Sequence, residues 1–98
     1  MQISYVYILE CNDNSFYVGV TNDIKKRLEE HIQGKSSHSY TFHRRPVKLV
    51  FYAEFTDIKL AIEKEKQIKK WSKAKKLALI EGRFNDLPNL AKKKFYNN

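Results

Sequence analysis

The sequence predicts an α+β domain. Its core is a small, mainly antiparallel three-stranded sheet that begins with a β-hairpin and is flanked by helices, in the order β-β-α-β-α-α. Three observations lead there. Two runs rich in β-branched and aromatic residues, Ile3 to Leu9 and Phe16 to Val20, enclose the turn formers Asn12, Asp13 and Asn14. Directly afterwards the apolar residues switch to a spacing of four, at Ile24, Leu28 and Ile32. A third strand-like run, Val47 to Phe55, is again followed by helical spacing.

In the hairpin, a three-residue loop at Asn12, Asp13 and Asn14 sets Tyr7 opposite Gly19 and Leu9 opposite Tyr17. Side chains alternate along a strand, so Tyr5, Tyr7, Tyr17 and Gly19 then share a face. A glycine opposite a tyrosine leaves room above the sheet for a ligand or another backbone. The plainer alternative is that tyrosines are good strand residues and Gly19 marks a bulge.

Thr21, Asn22 and Asp23 supply helix-start chemistry for the first helix. Ile24, Leu28 and Ile32 form its expected core stripe, with Lys26, Glu29, Glu30 and Gln33 outward. Arg27 and His31 are neighbours one turn apart on the flank of that stripe. They either aim at a phosphate beside the sheet edge or act blandly, the arginine lying over apolar surface and the histidine solvated. From Gly34 to Arg45 the sequence is polar and aperiodic, which predicts a mobile loop carrying Lys35, His38, His43, Arg44 and Arg45. The two loop histidines lack a carboxylate at metal-ligand spacing. Pro46 opens the third strand, where a missing ladder donor is tolerated. Its alternating faces are Leu49, Phe51 and Ala53, or Val50 and Tyr52.

Thr56 and Asp57 start a second helix reaching about Trp71. Around it Ile58, Leu60, Ile62, Ile68 and Trp71 span an arc of about 100° to either side of Ala61. Glu65 falls about 40° from Ala61, inside the arc, whereas Glu63 falls on the outer face. A carboxylate within an apolar stripe is costly unless paired or bound to a metal. Both readings stand: an ion pair with one of the many lysines or arginines, or a metal-ligating or acid–base group. Ser72 starts a third helix, Lys73 to Glu81, with Ala74, Leu77, Ala78 and Ile80 apolar and Gly82 as its stop. Residues 1–82 form the expected domain. Residues 83–98 form a basic, partly ordered tail with Leu90 and Phe95 as anchors.

With 98 residues and 42% hydrophobic composition the chain suits one core. Its net charge of +8 favours a polyanion, nucleic acid before a membrane surface. Seven lysines and a single acid lie between Lys64 and Lys76, a one-signed surface beside Trp71 suited to neutralising phosphates. No apolar run approaches the roughly 20 residues of a membrane span, and the N-terminus lacks signal-peptide character. A single cysteine, Cys11, rules out an internal disulfide or a cysteine-rich zinc site. A cytoplasmic location is expected.

Taken together, Tyr5-Val6-Tyr7, Tyr17-Val18-Gly19, Arg27 with His31, and Ala61 with Glu65 make the chain resemble the GIY-YIG nuclease superfamily, especially its short single-domain bacterial members. The similarity runs from about Ser4 to Leu79. Each motif is weak alone and strong in this order and spacing. Two departures stand out: Tyr5 replaces the glycine of the first motif, and the family's late asparagine is assigned to Asn85, with Asn89 the alternative.

The resemblance implies an endonuclease that hydrolyses phosphodiester bonds in DNA, without excluding RNA, in DNA repair or processing. It implies a divalent metal, Mg²⁺, held by Glu65. Arg27 would clamp a non-bridging oxygen, and Tyr7 would be the general base. Tyr17 and His31 would position the water or take its proton, with Gly19 and Asn85 completing the site. Lys35, Arg44, Arg45, Lys69, Lys70 and Lys73 are the expected nucleic-acid contacts. A protein partner could supply specificity that a chain this short has no added domain to provide. The competing readings are a non-catalytic nucleic-acid-binding module of the same fold, and a domain whose basic helix meets an acidic protein.

Overall fold

The structure is a computed structural model that describes residues 2–35 and 39–87. Strand β1 (Ser4–Glu10) and strand β2 (Phe16–Thr21) form the hairpin; α1 (Ile24–Gln33), β3 (Lys48–Phe55), α2 (Ile58–Lys69) and α3 (Lys73–Ile80) follow. The expected element order is the observed one. The sheet order is β2-β1-β3, antiparallel throughout, which makes β2 an edge strand.

The hairpin turn closes because Cys11 N–H donates to Ser15 O and Asn14 N–H donates to Cys11 O. Asn14 takes φ 67°, a left-handed conformation that asparagine tolerates better than most residues. Tyr7 therefore pairs with Gly19 and Leu9 with Tyr17, as the loop length predicts.

Each face of the sheet buries its own cluster. Val6, Ile8 and Val18 pack with Ala61 and Ile68 of α2, and Phe16, Val50, Phe51, Trp71, Leu79 and Ile80 border them. On the opposite face Tyr7, Leu9, Cys11 and Val47 pack with Ile24 and Leu28 of α1, beside Tyr17 and Leu49. Ile8 and Leu9 are fully buried on opposite faces, and burial of such side chains contributes roughly 1.5–3 kcal/mol each. Helices on both faces hold the sheet rigid, which is what a site built across its edge requires.

Several expectations need correction. Ile32 is 51% exposed, because α1 lies on the sheet only along the line through Ile24 and Leu28, and His31 takes the buried place in its last turn. On α2 the buried line is Ala61, Glu65 and Ile68, narrower than the apolar arc, so Ile58, Leu60 and Ile62 face outward. Likewise α3 buries Ala78 and packs through Leu79 and Ile80, leaving Ala74 and Leu77 exposed. In β3 the register against β1 shifts between Ile8 and Leu9, with Leu9 facing Leu49 and Ile8 facing Phe51. Val50 is the extra residue of this bulge, so Leu49 and Phe51 lie on opposite faces.

All three helix starts match their chemistry. Asp23 accepts from Lys26 N–H, Asp57 from Lys59 N–H and Ser72 from Lys75 N–H. Helix α1 ends at Gly34, whose φ of 68° favours glycine, and α3 ends before Gly82 at φ 75°. Part of the 34–45 segment is structured: Phe42–Arg44 form a short 3-10 turn. His38, Asn89, Leu90 and Phe95 lie outside the described residues. Among the described residues no helix is long and apolar enough to cross a membrane.

Candidate active site

The hairpin register and the α1 cap together decide what meets what. Asp23 fixes where α1 begins, so its last turn lies over the Tyr7 face of the sheet. His31 is thereby buried, with Nε2 3.0 Å from Tyr7 Oη. The Tyr17 and His31 rings lie 5.1 Å apart between centroids, and those of Tyr7 and Tyr17 6.2 Å apart. Gly19 makes this assembly possible, since a Cβ there would lie 2.5 Å from Cζ and from Oη of Tyr7. Both hairpin alternatives are corrected: the space above Gly19 is filled by the phenol of Tyr7 and not left for a ligand or another backbone, and Gly19 sits in a regular ladder with no bulge.

Arg27, one turn before His31, lies beside the Tyr7 hydroxyl and forms an ion pair with Glu30 at 3.2 Å. Both ends of that pair are partly exposed, so it contributes little stability and can open for a stronger anion. The residues border a cleft of about 400 Å³ lined by Tyr17, Arg27, Glu30, His31, Lys35 and Ser39. Expected contact Lys35 is therefore at the cleft.

Electrostatics set the resting protonation. Burial, reinforced by the neighbouring Tyr17, pushes the Tyr7 phenol up to about 12, against the pull of Arg27. Burial, followed by the charge of Arg27, holds His31 below its ordinary value, so it is neutral near pH 7. A neutral phenol hydrogen-bonded to a neutral imidazole is the resting state. A phenolate needs both a proton acceptor and added positive charge.

Glu65 comes from the other face. Its carboxylate is buried on α2 among Ala61 and Ile68, and α2 packs across β1 and β2. It pairs with Lys69 Nζ at 2.7 Å, which realises the ion-pair reading of the sequence. Hydrogen bonding to Glu65 raises the Lys69 ammonium, and the Tyr17 phenol adds to the effect, so Lys69 sits within electrostatic range of both. The metal reading survives this pairing. Among the described residues no three His, Cys, Asp or Glu side chains cluster for an ion. A magnesium ion, however, keeps several waters and needs only one or two carboxylates plus substrate phosphate. The Lys69 side chain is 54% exposed and flexible, so it can leave Glu65 to a cation. A single buried carboxylate of this kind fits a largely hydrated ion.

The remaining expected residues are scattered. Arg44 is held by Asp13 at 3.1 Å and by Tyr40 O at 2.8 Å, with its guanidinium over the Tyr40 ring. Arg45 donates to Phe42 O and lies over the Phe42 ring. Both arginines thus clip their loop together. Lys70 and Lys73 are exposed beyond the end of α2 and at the start of α3. Asn85 is exposed in a 3-10 turn that packs on α3.

Sequence reasoning missed Thr41, Ser39 and Tyr40. Thr41 is fully buried with Oγ1 2.7 Å from His31 Nδ1, and Tyr40 stacks on Tyr17 at 5.9 Å. A hydroxyl in an aperiodic loop carries no pattern that could have singled it out.

Comparison with known proteins agrees with this fold. A family model described as the GIY-YIG catalytic domain matches residues 3–78. The chain is 49% identical over 81 residues to a UPF0213 protein of Syntrophus aciditrophicus, covering 83% of this chain and 93% of that one. It is 41% identical over 81 residues to a UPF0213 protein of Bacillus subtilis, covering 83% and 81%. The solution NMR structure of a UPF0213 protein from Bacillus halodurans is similar with a TM-score of 0.53 at 39% identity, covering 81% of this chain and 83% of that one. That of a protein from E. faecalis reaches 0.60 at 25% identity, covering 100% and 95%. With a matched region reaching from the first strand into the third helix, this chain belongs to the GIY-YIG family, among its UPF0213 members.

Proposed function

We propose that this protein hydrolyses phosphodiester bonds in nucleic acid, DNA foremost, as a Mg²⁺-dependent endonuclease. The observation that carries the reading is the contact of Tyr7 with His31 at 3.0 Å beside Arg27, in a cleft open to an anion. Hydrolysis needs a base for water, a donor for the crowded phosphoryl oxygens and a cation near the leaving group.

Arg27 holds a non-bridging oxygen of the scissile phosphate once it leaves Glu30, and Lys35 adds charge at the same cleft. Tyr7 takes the proton of the attacking water after passing its own to His31 Nε2. The incoming phosphate does not by itself favour a phenolate; Arg27 and a nearby cation do. Glu65 would hold the divalent ion, which would supply charge neutralisation at the phosphate. Tyr17 packs against His31 and keeps the imidazole turned toward Tyr7. Asn85 belongs to the site only on the motif pattern. The exposed lysines Lys70 and Lys73, with Arg44 and Arg45, bind the phosphate backbone away from the cut, whereas Lys69 binds it beside Glu65. Residues 1–82, joined by Asn85, act as the catalytic unit and the basic residues after 82 as a tail. Cytoplasmic DNA repair or processing is the setting we infer, with a protein partner adding specificity.

The test is nicking of supercoiled plasmid by the wild-type protein and by Glu65→Ala, with Mg²⁺ and with EDTA. Cleavage by the wild type alone, abolished by EDTA, with duplex binding kept in both, supports the reading. Equal nicking by Glu65→Ala removes its assigned role.

One observation favours a second reading. Because Lys69 already satisfies the buried Glu65 carboxylate, the fold needs no metal, as a non-catalytic nucleic-acid-binding module would not. Salt-sensitive binding without cleavage of duplex, single-stranded, branched or RNA substrates would select it.

A further inference from the structure

Thr41 is buried completely in the segment between α1 and β3, where a threonine must find a partner for its hydroxyl. The partner is His31: Oγ1 lies 2.7 Å from Nδ1, and Ser39 Oγ lies 3.3 Å from the same Oγ1. The other imidazole nitrogen, Nε2, faces Tyr7 Oη at 3.0 Å. Ser39, Thr41, His31 and Tyr7 thus form one hydrogen-bonded chain running from the cleft wall to the sheet.

A neutral imidazole carries a single N–H, so the role of Nε2 toward Tyr7 is decided by what happens at Nδ1. On the phosphodiesterase reading above, we propose that Thr41 is a positioning residue. Its hydroxyl accepts from His31 Nδ1–H and so fixes the tautomer in which Nε2 is free to take the proton of Tyr7.

The donor count around Tyr7 supports this tautomer. Arg27 has only N–H donors to offer the phenol oxygen, so the phenol proton must go elsewhere. With the proton on Nδ1, Nε2 accepts a hydrogen bond from the phenol directly, and the Thr41 hydroxyl donates to Ser39 Oγ. In the opposite tautomer Nε2–H and Arg27 both point N–H groups at the phenol oxygen. The phenol proton would then depend on Tyr17 alone.

The transfer also balances. Moving the proton from Tyr7 Oη to Nε2 leaves a phenolate and an imidazolium with both N–H groups bonded, one to the phenolate and one to Thr41. The phenolate then removes a proton from the attacking water. Without the threonine hydroxyl, Nδ1–H would lose its acceptor at a buried position, which favours the other tautomer.

Nitrogen-15 NMR of the full chain reads the tautomer directly, since the sequence holds only three histidines. In the wild type at pH 7.5 the His31 proton is expected on Nδ1, with Nε2 unprotonated. Thr41→Val should move it to Nε2, and Thr41→Ser should keep the wild-type pattern. In cleavage assays Thr41→Val should lower kcat at least tenfold at unchanged KM, with Thr41→Ser restoring most of it. An Nε2-protonated wild type, or a Thr41→Val spectrum identical to wild type, overturns the proposal. Should Thr41→Val not fold, the wild-type spectrum alone still decides. Because the tautomer is read without substrate, its outcome is independent of whether the protein cuts nucleic acid.

Discussion

Gly19 and Tyr7 face each other across β2 and β1 so closely that no side chain fits between them: a Cβ on Gly19 would lie 2.5 Å from the Tyr7 hydroxyl. Tyr7 is itself buried and cannot step aside into water. Gly19→Ala is therefore expected to push the phenol off His31. Overpacking of this kind costs about 1–3 kcal/mol. Urea unfolding should show that loss, and cleavage should fall by more than the loss of folded protein explains. An alanine variant with wild-type kcat would show that the contact between Tyr7 and His31 is dispensable.

Tyr7→Phe keeps the ring in the sheet face and removes the hydroxyl alone. His31 Nε2 then loses its partner, a change expected to cost about 1 kcal/mol. Nucleic-acid binding should persist while cleavage falls at least a hundredfold, within the range for general-base removal. Paired gel-shift and plasmid-nicking measurements separate the two effects. Cleavage within tenfold of wild type would move the base role to another group.

His31 gives the fold a signature in mild acid. Burial and Arg27 set its pKa below the ordinary value, so the unfolded chain binds the proton more readily than the folded one. The stability it contributes is present above the unfolded value of about 6.5 and is lost as pH falls through the lower folded value. The unfolding midpoint should drop between pH 7 and 5, and His31→Gln should flatten that slope. Tyr7 acts at the other end. Its raised pKa of about 12 means stability present below about 10 and lost as pH rises toward 12.

The alternation of the hairpin and the four-residue spacing of α1 made the meeting of Tyr7, Gly19, Arg27 and His31 legible, because strand and helix periods dictate which side chains share a face. Glu65 was legible for a different reason: a carboxylate on a buried helical line stands out against apolar neighbours. Its pairing with Lys69 was not, since seven lysines of the run offered themselves and only geometry chooses. The Val50 bulge escaped because β3 reads as regular alternation, and the register shift is imposed by its partner β1. Thr41 escaped because its burial follows from how the 39–45 segment folds back over α1, a tertiary outcome with no local pattern. Apolar Ile32, Ile58, Leu60 and Ile62 misled in the opposite direction, since a three-stranded sheet is too narrow to cover the whole arc of each helix.

The ion pair of Glu65 with Lys69 makes a cation-binding experiment discriminating. A ligand that binds only the folded state raises its stability by RT ln(1 + [L]/Kd). Mg²⁺ should therefore raise the unfolding temperature of the wild type and leave Glu65→Gln unmoved. Lys69→Met should respond at lower Mg²⁺ concentration than wild type, because the competing ammonium is gone. Equal shifts in all three proteins would place the cation elsewhere.

Lys70 and Lys73 test the phosphate-binding surface without touching the cleft. Both are exposed near the turn joining α2 to α3, so their removal should leave the fold intact. Removing one phosphate-neutralising charge should reduce the slope of log K against log salt by about 0.9 on duplex DNA. Lys70→Ala combined with Lys73→Ala should lower that slope by nearly two, weakening binding alike on unrelated sequences. The kcat of nicking at saturating DNA should stay near wild type, because neither lysine lines the cleft beside Tyr17, Arg27 and His31. Fluorescence anisotropy across a salt series measures the slope. An unchanged slope in the double variant would assign the basic charge of this surface to something other than nucleic acid.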